Sequence, residues 1–301
     1  MDELELIKEL NYRLDSIQTD VNQEFNSKSM PTTLILGCPR SGTTALIQYL
    51  AETGSWAYPT NILTRFSNSV YIGSLVQELL FNPDFGLIKE QTSIDYKSDY
   101  GRSIGALNTN EFFHFFRRFF PTNDICHLSK EELLNVDVTG ILREIASITK
   151  VQKKPFVAKG LMFQSNLEYF SKLMPNCIFL YIKREPQFVM QSIYKARLRE
   201  CGDVKEWWSA KPAEYNYLIT QAVETQIAGQ VYYIQREIDY GMSFVPEGNK
   251  LIVDYEDFVK NPEAVYLELA KKYKNLGYEL STKPAKLKRE LKASHSRQID
   301  Q

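Results

Sequence analysis

The chain has little with which to hold a metal or build a disulfide framework. Its 301 residues include three histidines and four cysteines, and Cys38, Cys126, Cys177 and Cys201 are widely separated, with no CxxC pair and no histidine at ligand spacing. That usage predicts reduced thiols in a cytoplasmic protein and no metal site. No apolar run approaches the ~20 residues needed to span a bilayer. The acidic N-terminus also lacks the basic start and apolar core of a signal peptide. A formal charge of −1 removes any global electrostatic case for nucleic acid, although residues 281–301 carry six Lys or Arg against two acids.

What is present suits one large globular domain, since 44% of the residues are hydrophobic and 24% charged. Ile7, Leu10, Leu14, Ile17 and Val21 recur at steps of three and four, which predicts a helix with one apolar stripe. Three heptads are short for a coiled coil, so the helix is expected to pack on its own domain, with a homodimer as the alternative. Residues 1–30 thus read as an N-terminal helix and linker, and 31–301 as a single domain.

From residue 33 the pattern alternates. Residues 33–36 read as a strand, 37–42 as a loop and 43–52 as a helix. Residues 155–159 read as a second strand, and Ser165 with Glu168 as a capping box for the next helix, which carries Leu167, Phe170 and Leu173. The continuous apolar run 177–182 is that of a strand buried on both faces, with Pro186 opening the following helix. A further strand at 251–254 precedes a helix at 262–273. This order predicts an α/β fold with a central parallel sheet flanked by helices on both faces. Residues 56–150 interrupt it with many aromatics, from Trp56 and Tyr58 to the run Phe112, Phe113, Phe115, Phe116, Phe119 and Phe120. They are expected to form a mostly helical insertion on the acceptor side, with most of the rings in the core.

Gly37-Cys38-Pro39-Arg40-Ser41-Gly42-Thr43-Thr44 has the glycine spacing of a phosphate-binding loop between a strand and a helix, where backbone N–H groups and the helix dipole cradle an anion. The lysine that an ATP-binding loop places after its second glycine is replaced by Thr43. A cation stands instead at Arg40, and Ser41, Thr43 and Thr44 add hydroxyl donors. Further on, Arg184 follows the apolar strand and Ser192 lies eight residues later, placing a guanidinium at the carboxyl end of a strand, where open α/β sheets bind ligands.

Together these segments resemble the sulfotransferases that use 3′-phosphoadenosine 5′-phosphosulfate (PAPS). In that superfamily, whose fold is like that of P-loop kinases, the Pro-Arg-Ser-Gly-Thr-Thr loop holds the 5′-phosphosulfate and an Arg and Ser spaced like Arg184 and Ser192 hold the 3′-phosphate. The resemblance implies a sulfuryl group transferred from PAPS to an acceptor, with a hydroxyl expected. Val253–Phe258 with Asn261-Pro262 is similar to a structural "YEDL…NP" segment of the superfamily. Lys159 stands where relatives carry a lysine near the sulfuryl group. The basic end, with His295, Ser296 and Arg297, stands where many relatives supply a late cation to the 3′-phosphate, and is otherwise a solvated tail.

The base does not carry over. Enzymes acting on small phenols and steroids have a histidine two residues after the lysine, where this chain has Leu161. Tyrosylprotein sulfotransferases use a glutamate about sixteen residues beyond the loop, where it reads Pro59-Thr60-Asn61. The candidates are Glu111 and His114, three apart on a predicted helix face among aromatics. A structural ion pair of Glu111 with Arg117 or Arg118, or another group as base, stays open. Charge stabilisation is expected from Arg40 and Lys159. The rival readings are a P-loop nucleotide kinase and a non-catalytic domain that binds adenosine 3′,5′-bisphosphate or a partner.

Overall fold

The computed structural model describes residues 1–25, 30–85, 87–88, 98–99 and 102–280. Its centre is a parallel sheet of β1 (Thr32–Leu36), β2 (Phe156–Lys159), β3 (Cys177–Lys183) and β4 (Lys250–Asp254), in the order β2-β1-β3-β4. The register sets Ile35 beside both Lys159 and Leu180, and Lys183 beside Asp254. Because β2 lies on one side of β1 and β3 on the other, the strand order reverses at β1. The crevice at that reversal is where such sheets take their ligands.

Alternation along each strand divides the core in two. Leu34, Leu36, Phe156, Ala158, Phe179 and Tyr181 face one layer, which is covered by α4 (Val138–Gln152), α7 (Val223–Met242) and the rings of Phe112, Phe115 and Phe116. Ile35, Val157, Ile178, Leu180 and Ile182 face the other, under α2 (Thr43–Glu52) and α9 (Pro262–Asn275). Helices on both faces of a parallel sheet are the architecture the strand–helix alternation predicts. Trp56, although it opens the aromatic region, belongs to the second layer. Its ring meets Tyr266 and Tyr273 edge-on, and its Nε1–H donates to Tyr273 Oη at 2.9 Å.

Two local expectations are corrected. The helix α1 (Glu3–Glu24) forms, but its most buried side chains are Asn11 and Gln18, while Ile17 is 40% exposed. The surface it meets offers main-chain polar groups. Asn11 donates to Arg65 O and accepts from Asn68 N–H at 2.7 Å each, Gln18 accepts from Tyr71 N–H at 3.0 Å, and Asn22 reaches Glu144. Those buried groups must be paired, so amides share the contact face with Ile7, Leu10, Leu14 and Val21, which are half-buried. The Ser165/Glu168 capping box does not form either. Residues Gln164–Asn166 make a 3₁₀ turn, and α5 (Leu167–Leu173) begins after Asn166, whose side chain is occupied by the backbone of Leu128 in both directions.

Candidate functional site

The loop between β1 and α2 closes with Ser41 N–H donating to Cys38 O at 3.0 Å. Arg40 and Gly42 carry it through left-handed backbone, with φ 70° and 104°. Gly42 is required twice over, because a Cβ there would lie 2.3 Å from Cδ2 of Tyr255. Gly42→Ala is therefore expected to cost about 1–3 kcal/mol of stability and to distort the loop, which thermal unfolding and anion titration would register. At Gly37 an added Cβ would meet Ser41 Oγ at 2.4 Å, so the two ends of the loop are in contact. Among the described residues the buried Ser41 hydroxyl has no hydrogen-bond partner, as expected of a donor awaiting an anion. Neighbouring Cys38 is fully enclosed, and burial pushes its thiol far above the ordinary range, which removes it as a nucleophile.

The ammonium missing from the loop comes from the adjacent strand. Lys159 ends β2 opposite Ile35 and is 3% exposed. Its Nζ donates to Thr44 Oγ1 at 2.7 Å and to Glu111 Oε1 at 2.8 Å, so two of its three protons join the loop to a carboxylate. Glu111 keeps 32% of its side chain exposed and lines the same cavity.

On the other side of the loop stands the pair Arg184 and Ser192. Arg184 follows β3 and Ser192 lies in α6 (Pro186–Cys201). Arg184 donates from a terminal nitrogen to Arg40 O at 3.2 Å, and Ser192 Oγ accepts from Arg40 Nε at 2.9 Å. The Arg184 guanidinium lies 4.5 Å from the ring centre of Tyr255, the residue that also covers Gly42. A cavity of about 350 Å³ brings Arg40, Thr44, Glu111, Lys159, Arg184 and Tyr255 together.

His114 is not among them. Phe112 takes a left-handed backbone (φ 62°), its N–H held at 3.0 Å by Asn110 Oδ1, and the short helix Phe113–Phe116 begins only after it. Glu111 thus precedes the helix, turned toward Lys159, while His114 is solvent-exposed. The shared helix face is corrected accordingly. Nor does Glu111 pair with either nearby arginine. Arg118 grips Glu144 by two bonds of 2.8 and 3.1 Å, and Arg117 donates from Nε to Asn123 O at 2.9 Å. Burial raises the Glu144 carboxyl pKa, with Arg118 opposing.

Tyr255, Arg117 and Ser209 line the cavity without having been singled out as site residues, and Trp208, which the sequence leaves as either acceptor wall or core, lines it as well. A signal existed for the turn at Phe112, since asparagine two residues earlier favours an Asx turn. No comparable signal marks Arg117. The basic segment 281–301 lies outside the described residues. Among the described residues no helix is long and apolar enough to cross a membrane, and no group of three His, Cys, Asp or Glu is placed to hold a metal.

No curated protein matches the chain. Among solved structures, sulfotransferase STF1 of Mycobacterium tuberculosis superposes with a TM-score of 0.54 at 12% identity, covering 88% of this chain and 72% of that one. Sulfotransferase STF9 of Mycobacterium avium gives 0.50 at 13% identity, with 82% and 64% covered. At such identities these likenesses speak for the fold. The family model described as "Sulfotransferase family" matches residues 31–273, from the first strand through most of α9, and on that match the chain belongs to the sulfotransferase family.

Proposed function

We propose that the protein transfers the sulfuryl group of PAPS to an acceptor hydroxyl, with Glu111 as the base that takes the hydroxyl proton. The observation that carries the reading is the Thr44–Lys159–Glu111 chain, which ties a phosphate loop to a carboxylate through one buried ammonium. The loop suits an anionic donor: its glycines bring its two ends into contact, Ser41 offers a buried hydroxyl, and the first amides of α2 have no partner within the helix. Arg184 and Ser192 would hold the 3′-phosphate, and Arg40, Ser41, Gly42, Thr43 and Thr44 the 5′ end.

PAPS, when bound, supplies an activated sulfuryl group and a phosphate leaving group. The third proton of Lys159 is then available to oxygens that gain negative charge during transfer. Glu111 Oε1 is engaged by Lys159, which leaves Oε2 to accept the acceptor's proton as the new S–O bond forms. Lys159 also holds the Glu111 carboxyl group in place beside the loop, by the contact at 2.8 Å.

One contact bears on the missing glutamate of the tyrosylprotein enzymes. The 59–61 segment, which lacks it, is bridged by Thr60 to Thr109, and Asn110 N–H donates to Pro59 O at 2.9 Å. An acid absent from one segment is thus present at Glu111 on the segment beside it.

The test is calorimetric titration with adenosine 3′,5′-bisphosphate, with ATP and Mg²⁺ as the contrasting ligand. The bisphosphate is expected to bind much more tightly than ATP, and Arg184→Ala to weaken it by roughly 10–100-fold, the loss of charge-assisted bonds. Tighter binding of ATP, or indifference to Arg184→Ala, would remove PAPS as the donor.

A further inference from the structure

Four cations line the cavity. Arg40 and Arg184 are tied to the phosphate loop, and Lys159 to the loop and Glu111. Arg117 is a fourth, on the wall formed by the short helix Phe113–Phe116 and the 3₁₀ turn Arg117–Phe119 that follows it. Its Nε is anchored on Asn123 O, and its guanidinium lies 5.1 Å from the ring centre of Phe113. No carboxylate among the described residues pairs with it. Asp124, one residue beyond its anchor, is neutralised by Lys211 at 2.6 Å.

That wall is built as a unit. Lys211 N–H donates to Ile125 O at 2.8 Å, which joins the segment after Arg117 to the one carrying Trp208 and Ser209. Behind it Arg197, fully buried, donates to Gln226 and Gln230 and lies 4.7 Å from the Trp207 ring centre, and Gln230 Nε2 donates to the carbonyls of Trp208 and Ala210 at 2.9 Å each. Phe113, Ile125, Leu161 and Trp208 give this side of the cavity apolar surface, with Arg117 as its cation.

We infer that Arg117 is the anion-binding end of the acceptor subsite, and that the acceptor is an apolar or aromatic hydroxyl compound bearing a negative group such as a carboxylate. A guanidinium fixed at Nε presents its terminal nitrogens as a fork, the geometry that grips a carboxylate by two parallel bonds. The phenylalanine, isoleucine, leucine and tryptophan side chains exclude water from the skeleton between that anion and the hydroxyl at Glu111. The inference rests on the sulfotransferase reading of the site.

The experiment uses the full chain, with and without adenosine 3′,5′-bisphosphate, titrated with two matched pairs of probes: 4-hydroxyphenylacetate against 4-hydroxyphenylacetamide, and 3-hydroxydecanoate against its amide. At least one acid is expected to bind roughly tenfold or more tightly than its amide. Arg117→Gln abolishes that preference while leaving bisphosphate affinity unchanged, and Arg117→Lys restores only part of it, having charge without the fork. Absence of preference in both pairs, its survival in Arg117→Gln, or a loss of bisphosphate affinity in that variant overturns the assignment. Failure of the bisphosphate to bind the unmodified protein is a different result. It removes the donor, and the titrations of the ligand-free chain still decide on Arg117.

Discussion

Glu111→Gln is expected to lower kcat by roughly 10²–10⁴-fold, the range of a lost general base, with the affinity for adenosine 3′,5′-bisphosphate nearly unchanged. The substitution keeps shape and one hydrogen-bonding oxygen, so Lys159 retains a partner and the fold has no reason to change. Glu111 is also part-exposed and outside any helix, which limits the stability cost. Single-turnover rates with saturating donor, measured beside the calorimetric titration, separate the two effects. A variant that transfers at the parent rate would show that the carboxylate serves only to hold Lys159. His114→Gln is the internal control, expected to leave the rate intact because that ring stands in solvent.

Lys159→Met should be nearly as damaging, lowering kcat by about 10²–10³-fold, as removal of one preorganised donor to developing charge does elsewhere. Methionine fills the space of the buried stem and removes the ammonium, so Thr44 and Glu111 lose their common partner. Because the two residues touch at 2.8 Å, their effects should not multiply. The double variant Glu111→Gln/Lys159→Met is expected to be only slightly slower than the worse single variant. A multiplicative loss would mean that the two act in separate steps, and would break the proposed chain from loop to base.

The sheet was legible because its signals are periodic and local. Apolar runs of strand length, a proline opening α6 and a glycine-rich turn between β1 and α2 each follow from rules that need no tertiary knowledge. Arg184 was found for the same reason, since the end of an apolar strand in such a fold is already a place in space. The pairing of Glu111 with Lys159 was not legible. It depends on the register that sets Lys159 beside Ile35, and on one left-handed phenylalanine that breaks an apparent helix between Glu111 and His114. Glutamate and histidine three apart among aromatics satisfied the helical rule, and the Asx turn from Asn110 overrode it. The N-terminal helix was legible, but two of the side chains it buries most, Asn11 and Gln18, were not. Its leucines and isoleucines gave the stripe, while the surface that receives it called for amides.

The left-handed backbone at Arg40 and Gly42 makes the donor loop a feature of the main chain more than of its side chains. Amides and a helix dipole attract an anion whatever residue is attached to them. On the proposed function, a chain that has lost Glu111 or Lys159 would therefore go on capturing the nucleotide donor while turning it over far more slowly. In a cell such a variant would be a sink for the donor, competing with its own active counterpart.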